Sequence, residues 1–364
     1  MSPFNSNKGV KKQVALDGFT LSIVLILLAA IIALLFITGG YFIFSRPASS
    51  GNSNVVENDD DSTQVSGNGN YPFKQDITVN MSYDTVAAET IEGISASNAV
   101  LVDITDGVIV ASKLSSGEIN PASMTKVMTL IVVFENLESE SALKDMVEVT
   151  EEHISNKTND RKMSGYIGGP KYPAGKYSVE TLINHLILNS DGVAALALAD
   201  YIAGSEANFV QLMNEKAAEL ELERTTFVYC DGSYDLGHKT TCRDMAKIMA
   251  YAMKNTFCAN VLTSYSYSND GVIECYHSLL VTLLHNDTPS KKLSMKKVNV
   301  TAGKTGWTNP RSLGESGGCI VSFAQGKNGH NYILVIAGAD GENYTTAINN
   351  AVTDTKTVYD NYIE

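Results

Sequence analysis

The chain has 364 residues, a formal net charge of −13 and five cysteines. That length suits a tail plus one large domain, and the acidic balance, without any basic-aromatic stripe, argues against a nucleic-acid partner. The cysteines lack zinc-type spacing and the histidines form no His-x-x-Glu-His or similar cluster, so neither a metal nor a cofactor is expected.

Residues 1–18 form a basic tail carrying Lys8, Lys11 and Lys12, and residues 19–45 follow as an apolar segment. Leu21 to Phe36 has only Ser22 as a polar interruption, and Ile37 to Phe44 extends the run. This is long enough to span a bilayer, and no small-residue cleavage site is obvious. The segment reads as an uncleaved, single-pass signal anchor with the N-terminus in the cytoplasm and the bulk of the chain outside. Residues 46–70, rich in Ser, Asn, Gly and Asp, read as a flexible tether.

The folded part is expected over residues 71–364. Alternation over Val100–Ile104 and Val108–Ala111, around Asp106-Gly107, predicts a hairpin. Helical patterns follow at Ala122–Leu137, Val179–Leu188, Val193–Ile202, Ala207–Leu220 and Arg243–Met253. Gly317–Phe323 and Tyr332–Ala337 predict two strands around a Gly-Lys-Asn-Gly turn, with Lys304-Thr305-Gly306 on an antiparallel edge strand before them. Tyr344–Ile363 predicts a closing helix. Strands at both ends with helices between give an α+β class: a sheet flanked by helices, with a helical insert.

Chemistry concentrates first at Pro121-Ala-Ser-Met-Thr-Lys126. Positions i and i+3 share a helix face, so Lys126 can reach the hydroxyl of Ser123. A lysine serves as base when burial and a neighbouring cation lower its pKa, and a helix N-terminus favours negative charge on the serine. Ser-x-x-Lys recurs at Ser141/Lys144 and Ser294/Lys297, but only Ser123 has Pro121 ahead of it and a buried-looking helix behind it. Lys304 supplies a second cation that would depress Lys126. Thr305 suits a substrate carboxylate, and Gly306 leaves room for substrate backbone. Serine-lysine first and Lys-Thr-Gly second, well apart, is the order of the penicillin-recognising serine enzymes.

From about Ile91 onward the chain resembles the D-alanyl-D-alanine carboxypeptidases, the low-molecular-mass penicillin-binding proteins. Leu101–Gly107, Pro121–Lys126, Ala197–Gly204, Cys242–Ile248 and Gly303–Thr308 carry the likeness. It implies a β-lactamase/transpeptidase-like fold and a catalytic domain on the outer side of a bacterial cell membrane. The implied partners are peptidoglycan stem peptides, with β-lactam antibiotics as inhibitors. It also implies a Ser123 acyl-enzyme, backbone N–H groups of Ser123 and Trp307 at the oxyanion, and a proton relay through Ser190. Arg311 is a second carboxylate candidate beside a plain surface reading. Many family members carry a C-terminal β domain and anchor, whose place the N-terminal helix is expected to take.

The chain departs from the family at the second motif, where Ser-x-Asn is usual and Ser190-Asp191-Gly192 stands. Ser190 reads either as the relay or as an N-cap ahead of Val193, two compatible roles. Asp191 either replaces part of the missing amide or faces solvent. This departure keeps an impaired penicillin-binding or sensor module as an alternative, beside a D,D-endopeptidase and a β-lactamase. No Glu-x-x-x-Asn lies between Ser190 and Lys304, which lowers the lactamase reading. His238 suits a structural hydrogen bond, the cysteines suit buried or free thiols, and a Cys230–Cys242 bridge stays open.

Overall fold

The structure is a computed structural model and describes residues 88–159, 173–269, 272–277, 279, 295–308 and 317–364. The chain divides into two units, Met1–Gly67 and Asn68–Glu364, and every described residue belongs to the second. The expected anchor at 19–45, the tether at 46–70 and Arg311 lie outside the described residues. Among the described residues no helix is long and apolar enough to cross a membrane.

A six-stranded sheet organises the domain. Its strands are β1 (Glu89–Thr90), β2 (Asn98–Asp103), β3 (Val108–Lys113), β10 (Val298–Trp307), β11 (Gly318–Gly326) and β12 (Asn331–Ala339), in the order β1-β3-β2-β12-β11-β10. The remaining strands make two-stranded pairs: β4 (Glu118–Ile119) with β7 (Thr240–Thr241), β5 (Met146–Val149) with β6 (Gly175–Ser178), and β8 (Ser266–Asn269) with β9 (Val272–Tyr276). The helices are α1 (Lys126–Glu135), α2 (Glu151–Asn159), α3 (Val179–Leu188), α4 (Gly192–Ala203), α5 (Glu206–Glu219), α6 (Cys242–Lys254), α7 (Thr256–Thr263) and α8 (Tyr344–Tyr362). The predicted hairpin, both central strands, the edge position of Lys-Thr-Gly and the closing helix all appear, with ends moved by a few residues.

The period of two in the strands divides the core between the two faces of the sheet. Val100, Val102, Val321, Phe323, Ile333 and Val335 join α1 and the other insert helices in one cluster. Leu101, Ile320, Ala324, Leu334 and Ile336 pack with Ile348, Val352, Val358 and Tyr359 of α8 in the other. Helix α1 is buried from Lys126 to Phe134, as expected of a helix apolar all round.

Buried polar groups pin the closing helix. Asp354 accepts from Ser95 N, Ser95 Oγ and Ala96 N at 3.0, 2.9 and 2.8 Å, and Tyr359 Oη meets Ser322 Oγ at 3.0 Å. At the far end of the sheet, His330 Nδ1 bonds Asp103 Oδ2 at 2.7 Å and ties the turn after β2 to the turn after β11. With Asp106, these two form the one group among the described residues whose spacing would suit a cation. Asp103 Oδ1 is already taken by the N–H groups of Thr105 and Asp106 at 2.9 and 3.2 Å.

All five cysteines are buried thiols with no disulfide, so the Cys230–Cys242 bridge does not form. Burial pushes the thiols of Cys242, Cys258 and Cys319 up, that of Cys319 to about 11, which leaves them inert.

Candidate active site

The segment after Pro121 begins not as an α-helix but as a 3₁₀ turn over Ala122–Thr125, which passes into α1 at Lys126. In a 3₁₀ turn the side chains at i and i+3 eclipse, so Lys126 stands directly over Ser123. Its Nζ donates to Ser123 Oγ at 3.0 Å and to the carbonyl oxygen of Asp231 at 2.5 Å. One turn further along α1, Thr129 Oγ1 donates to the carbonyl oxygen of Cys230 at 2.5 Å. Helix α1 thus grips two successive carbonyls of a downstream loop.

That loop is locked on the other side by His238. Its Nδ1 accepts from the N–H groups of Val228 and Tyr229 at 3.1 and 3.3 Å, so the ring hydrogen sits on Nε2 and points at Thr125 Oγ1, 2.8 Å away. Asn120 adds two bonds, accepting from Ala122 N and donating to the His238 carbonyl, both at 3.0 Å. Ala122 adopts a left-handed φ of 47°, a conformation that a non-glycine residue holds only when its surroundings fix it. The structural hydrogen bond expected of His238 is present and holds the nucleophile turn itself.

The edge strand β10 closes the site. Its register places Lys304 opposite Val321 and Gly306 opposite Cys319, and both partners belong to the core on the α1 side. Thr305 lies opposite Ile320, which belongs to the α8 side. The tripeptide is therefore split between two faces. A Cβ on Gly306 would lie 3.0 Å from Pro121 O and 3.1 Å from Ser123 N. The space left by this glycine is filled by the Ser123 turn of its own chain, not kept for substrate backbone as expected. On the other face Trp307 meets the Tyr344 ring edge-on, centroids 6.0 Å apart.

Lys126 and Lys304 are 2% and 0% exposed. Burial, with the Lys126 charge beside it, pushes the Lys304 ammonium well below the ordinary lysine range. Among the described residues Lys304 Nζ donates to the Thr305 carbonyl at 2.9 Å, and Lys126 Nζ to Ser123 and Asp231. A residue not anticipated, His277, is fully buried near Lys304. Burial and the Lys304 charge hold it down at about 3, so it is a neutral neighbour.

Ser190 sits just before α4 with a left-handed φ of 55°, and its hydroxyl makes no hydrogen bond among the described residues. The cap of α4 is not Ser190 but Asp191, whose Oδ1 accepts from Val193 N at 2.7 Å and Ala194 N at 3.2 Å. Asp191 is buried, with Oδ1 given to that cap, so it does not face solvent. The structure thus gathers Ser123, Lys126, Lys304 and Gly306, and sets the side chains of Thr305 and Trp307 behind the strand.

The sequence profile described as D-alanyl-D-alanine carboxypeptidase matches residues 84–341, well over half of the chain. D-alanyl-D-alanine carboxypeptidase DacF of Bacillus subtilis is 30% identical over 255 residues, covering 67% of this chain and 57% of that protein. D-alanyl-D-alanine carboxypeptidase DacC of Escherichia coli is 35% identical over 163 residues, 44% of this chain and 40% of that one. The chain therefore spans about half the length of the curated relatives it matches. Among solved structures, penicillin-binding protein 5 from Haemophilus influenzae superposes with a TM-score of 0.58 at 24% identity, covering 73% of this chain and 71% of that one, which shows a common fold. With the profile spanning the nucleophile turn, the loop that holds Lys126 and the edge strand alike, the chain belongs to the D-alanyl-D-alanine carboxypeptidase family.

Proposed function

We propose that the protein is a serine-type D-alanyl-D-alanine carboxypeptidase that trims the terminal D-alanine from peptidoglycan stem pentapeptides. The observation that carries this reading is the 3.0 Å contact between Lys126 Nζ and Ser123 Oγ beside a second buried lysine. In its neutral form Lys126 takes the Ser123 proton while Oγ attacks the carbonyl between the last two D-alanines. The backbone N–H groups of Ser123 and Trp307 receive the oxyanion. Lys304 holds the terminal carboxylate, with Arg311 as a further cation for it. The C–N bond breaks, D-alanine leaves with a proton relayed through Ser190, and water releases the acyl group. A penicillin follows the first steps and stalls at the last.

Anchoring by residues 19–45 in the bacterial cell membrane, with residues 71–364 outside, is part of the same proposal. It is supported by the apolar run behind Lys8, Lys11 and Lys12. A second reading, impaired turnover after normal acylation, is supported by the Ser190 hydroxyl, which has no hydrogen-bond partner among the described residues, and by Gly192 in the place of an amide.

The test is fluorescent-penicillin labelling of the full chain beside Ser123→Ala. Stable label on wild type alone, pelleting with membranes and matched by D-alanine release from pentapeptide, is the expected result. Equal label on both proteins overturns Ser123 as the nucleophile, and loss of free penicillin without stable label points to a lactamase.

A further inference from the structure

The main chain of one loop residue is held by side chains from two different helices. Thr129 Oγ1 of α1 donates to the Cys230 carbonyl oxygen at 2.5 Å, and Glu206 Oε1, at the start of α5, accepts from Cys230 N at 3.1 Å. The Thr125 carbonyl is farther from Thr129 Oγ1, at 3.4 Å, so the single hydroxyl hydrogen goes to Cys230. Thr129 is fully buried one turn beyond Lys126, and the next carbonyl of the loop, that of Asp231, receives Lys126 Nζ at 2.5 Å. The two soft torsions of Asp231 are all that separates the carbonyl gripped by Thr129 from the one that meets Lys126. The Asp231 side chain restrains those torsions in turn, Oδ1 and Oδ2 accepting from Ser233 N and Ser233 Oγ at 3.0 and 2.8 Å.

We propose that Thr129 and Glu206 are positioning residues for Ser123 acylation, holding the Cys230–Asp231 main chain so that the Asp231 carbonyl keeps Lys126 Nζ against Ser123 Oγ. This rests on the carboxypeptidase reading above, in which Lys126 is the base. Lysine carries its amine on a flexible four-carbon stem, so burial of the stem alone does not fix where Nζ lies. A base must sit within hydrogen-bond reach of the proton it takes. The contact with Ser123 is no lasting anchor, because the serine oxygen turns to the substrate as it attacks, whereas the carbonyl stays. A carbonyl is as steady as the peptide that bears it, and this one follows a residue tied to α1 and α5 at once.

The experiment is rapid-mixing acylation of the full chain by fluorescent penicillin over a range of concentrations, well below each variant's Tm. It separates the dissociation constant of the first complex from the acylation rate constant at saturation. Thr129→Val keeps the side-chain shape and removes the hydroxyl; Glu206→Met removes the acceptor. Each is expected to lower the saturating rate constant by about tenfold, within the roughly hundredfold that a misplacement of about 1 Å costs, and to leave the dissociation constant within about twofold. Thr129→Ser and Glu206→Gln, which keep the donor and the acceptor, are expected to restore the rate. An unchanged saturating rate in either Thr129→Val or Glu206→Met overturns the joint role. So does an equal loss in the Ser and Gln variants, or a loss that falls on the dissociation constant instead. Should the buried Thr129→Val fail to fold, the half-buried Glu206 pair decides alone. Absence of Ser123-dependent label on wild type removes the carboxypeptidase reading itself, and is seen before any variant is compared.

Discussion

Lys126 Nζ lies 2.5 Å from the carbonyl oxygen of Asp231, so the ammonium facing Ser123 is held by backbone from a loop more than a hundred residues downstream. A carbonyl is an acceptor that no side-chain substitution removes. The position of that loop, however, depends on Gly232. Its φ is +77°, and a Cβ there would fall 2.0 Å from Ala122 O, in the turn that bears the nucleophile.

Gly232→Ala is therefore expected to displace the Asp231 carbonyl and the Ser123 turn together. The backbone conformation alone disfavours alanine by about 1 kcal/mol, and the collision adds to that. Chemical denaturation should show a loss of roughly 1–3 kcal/mol. Penicillin acylation of the folded fraction should slow as well. Wild-type acylation in a destabilised protein would mean that Lys126 does not need this hold.

Lys304 is kept well below the ordinary lysine range by burial and by the Lys126 charge. Below the unfolded pKa of about 10.4, the unfolded chain binds a proton that the native protein holds less tightly. Native stability therefore rises with pH up to that value and is lowest where both states are protonated. Lys304→Met should abolish carboxylate recognition, and should flatten the rise of Tm as the pH approaches about 10. An identical Tm-against-pH slope in wild type and variant would show that Lys304 carries no native-state penalty.

Gly192 stands at the first position of α4, two residues after Ser190. Restoring an amide by Gly192→Asn is expected to raise the steady-state rate of D-alanine release several-fold. Stability should shift by no more than about 0.5 kcal/mol, since glycine and asparagine differ little at a helix start. Unchanged turnover would show that the missing amide is not what limits the enzyme.

Much of this was legible from local pattern. Alternating strands forecast which residues face each half of the core, and Val100, Val102, Val321 and Phe323 do share one face. The Ser-x-x-Lys spacing foretold the Ser123–Lys126 contact, because a turn with three to four residues per revolution stacks those positions whatever surrounds them. The edge position of Lys304 followed from the two strands behind it. Ser190 was harder, since a serine and an aspartate in succession are both good caps, and only the backbone shows that Asp191 took the role.

The sequence by itself determined the Ser123–Lys126 pair, the strand carrying the second lysine and the order of the elements, because each depends on spacing within a few residues. Tertiary structure alone decided what holds them. Lys126 is fixed by a main-chain carbonyl, which every residue type presents alike. His238 owes its tautomer to two N–H groups across a loop, His277 is neutral because it is buried beside Lys304, and Trp307 meets a tyrosine from the closing helix. Contacts of this kind join segments far apart in the chain and leave no period or motif in any one of them.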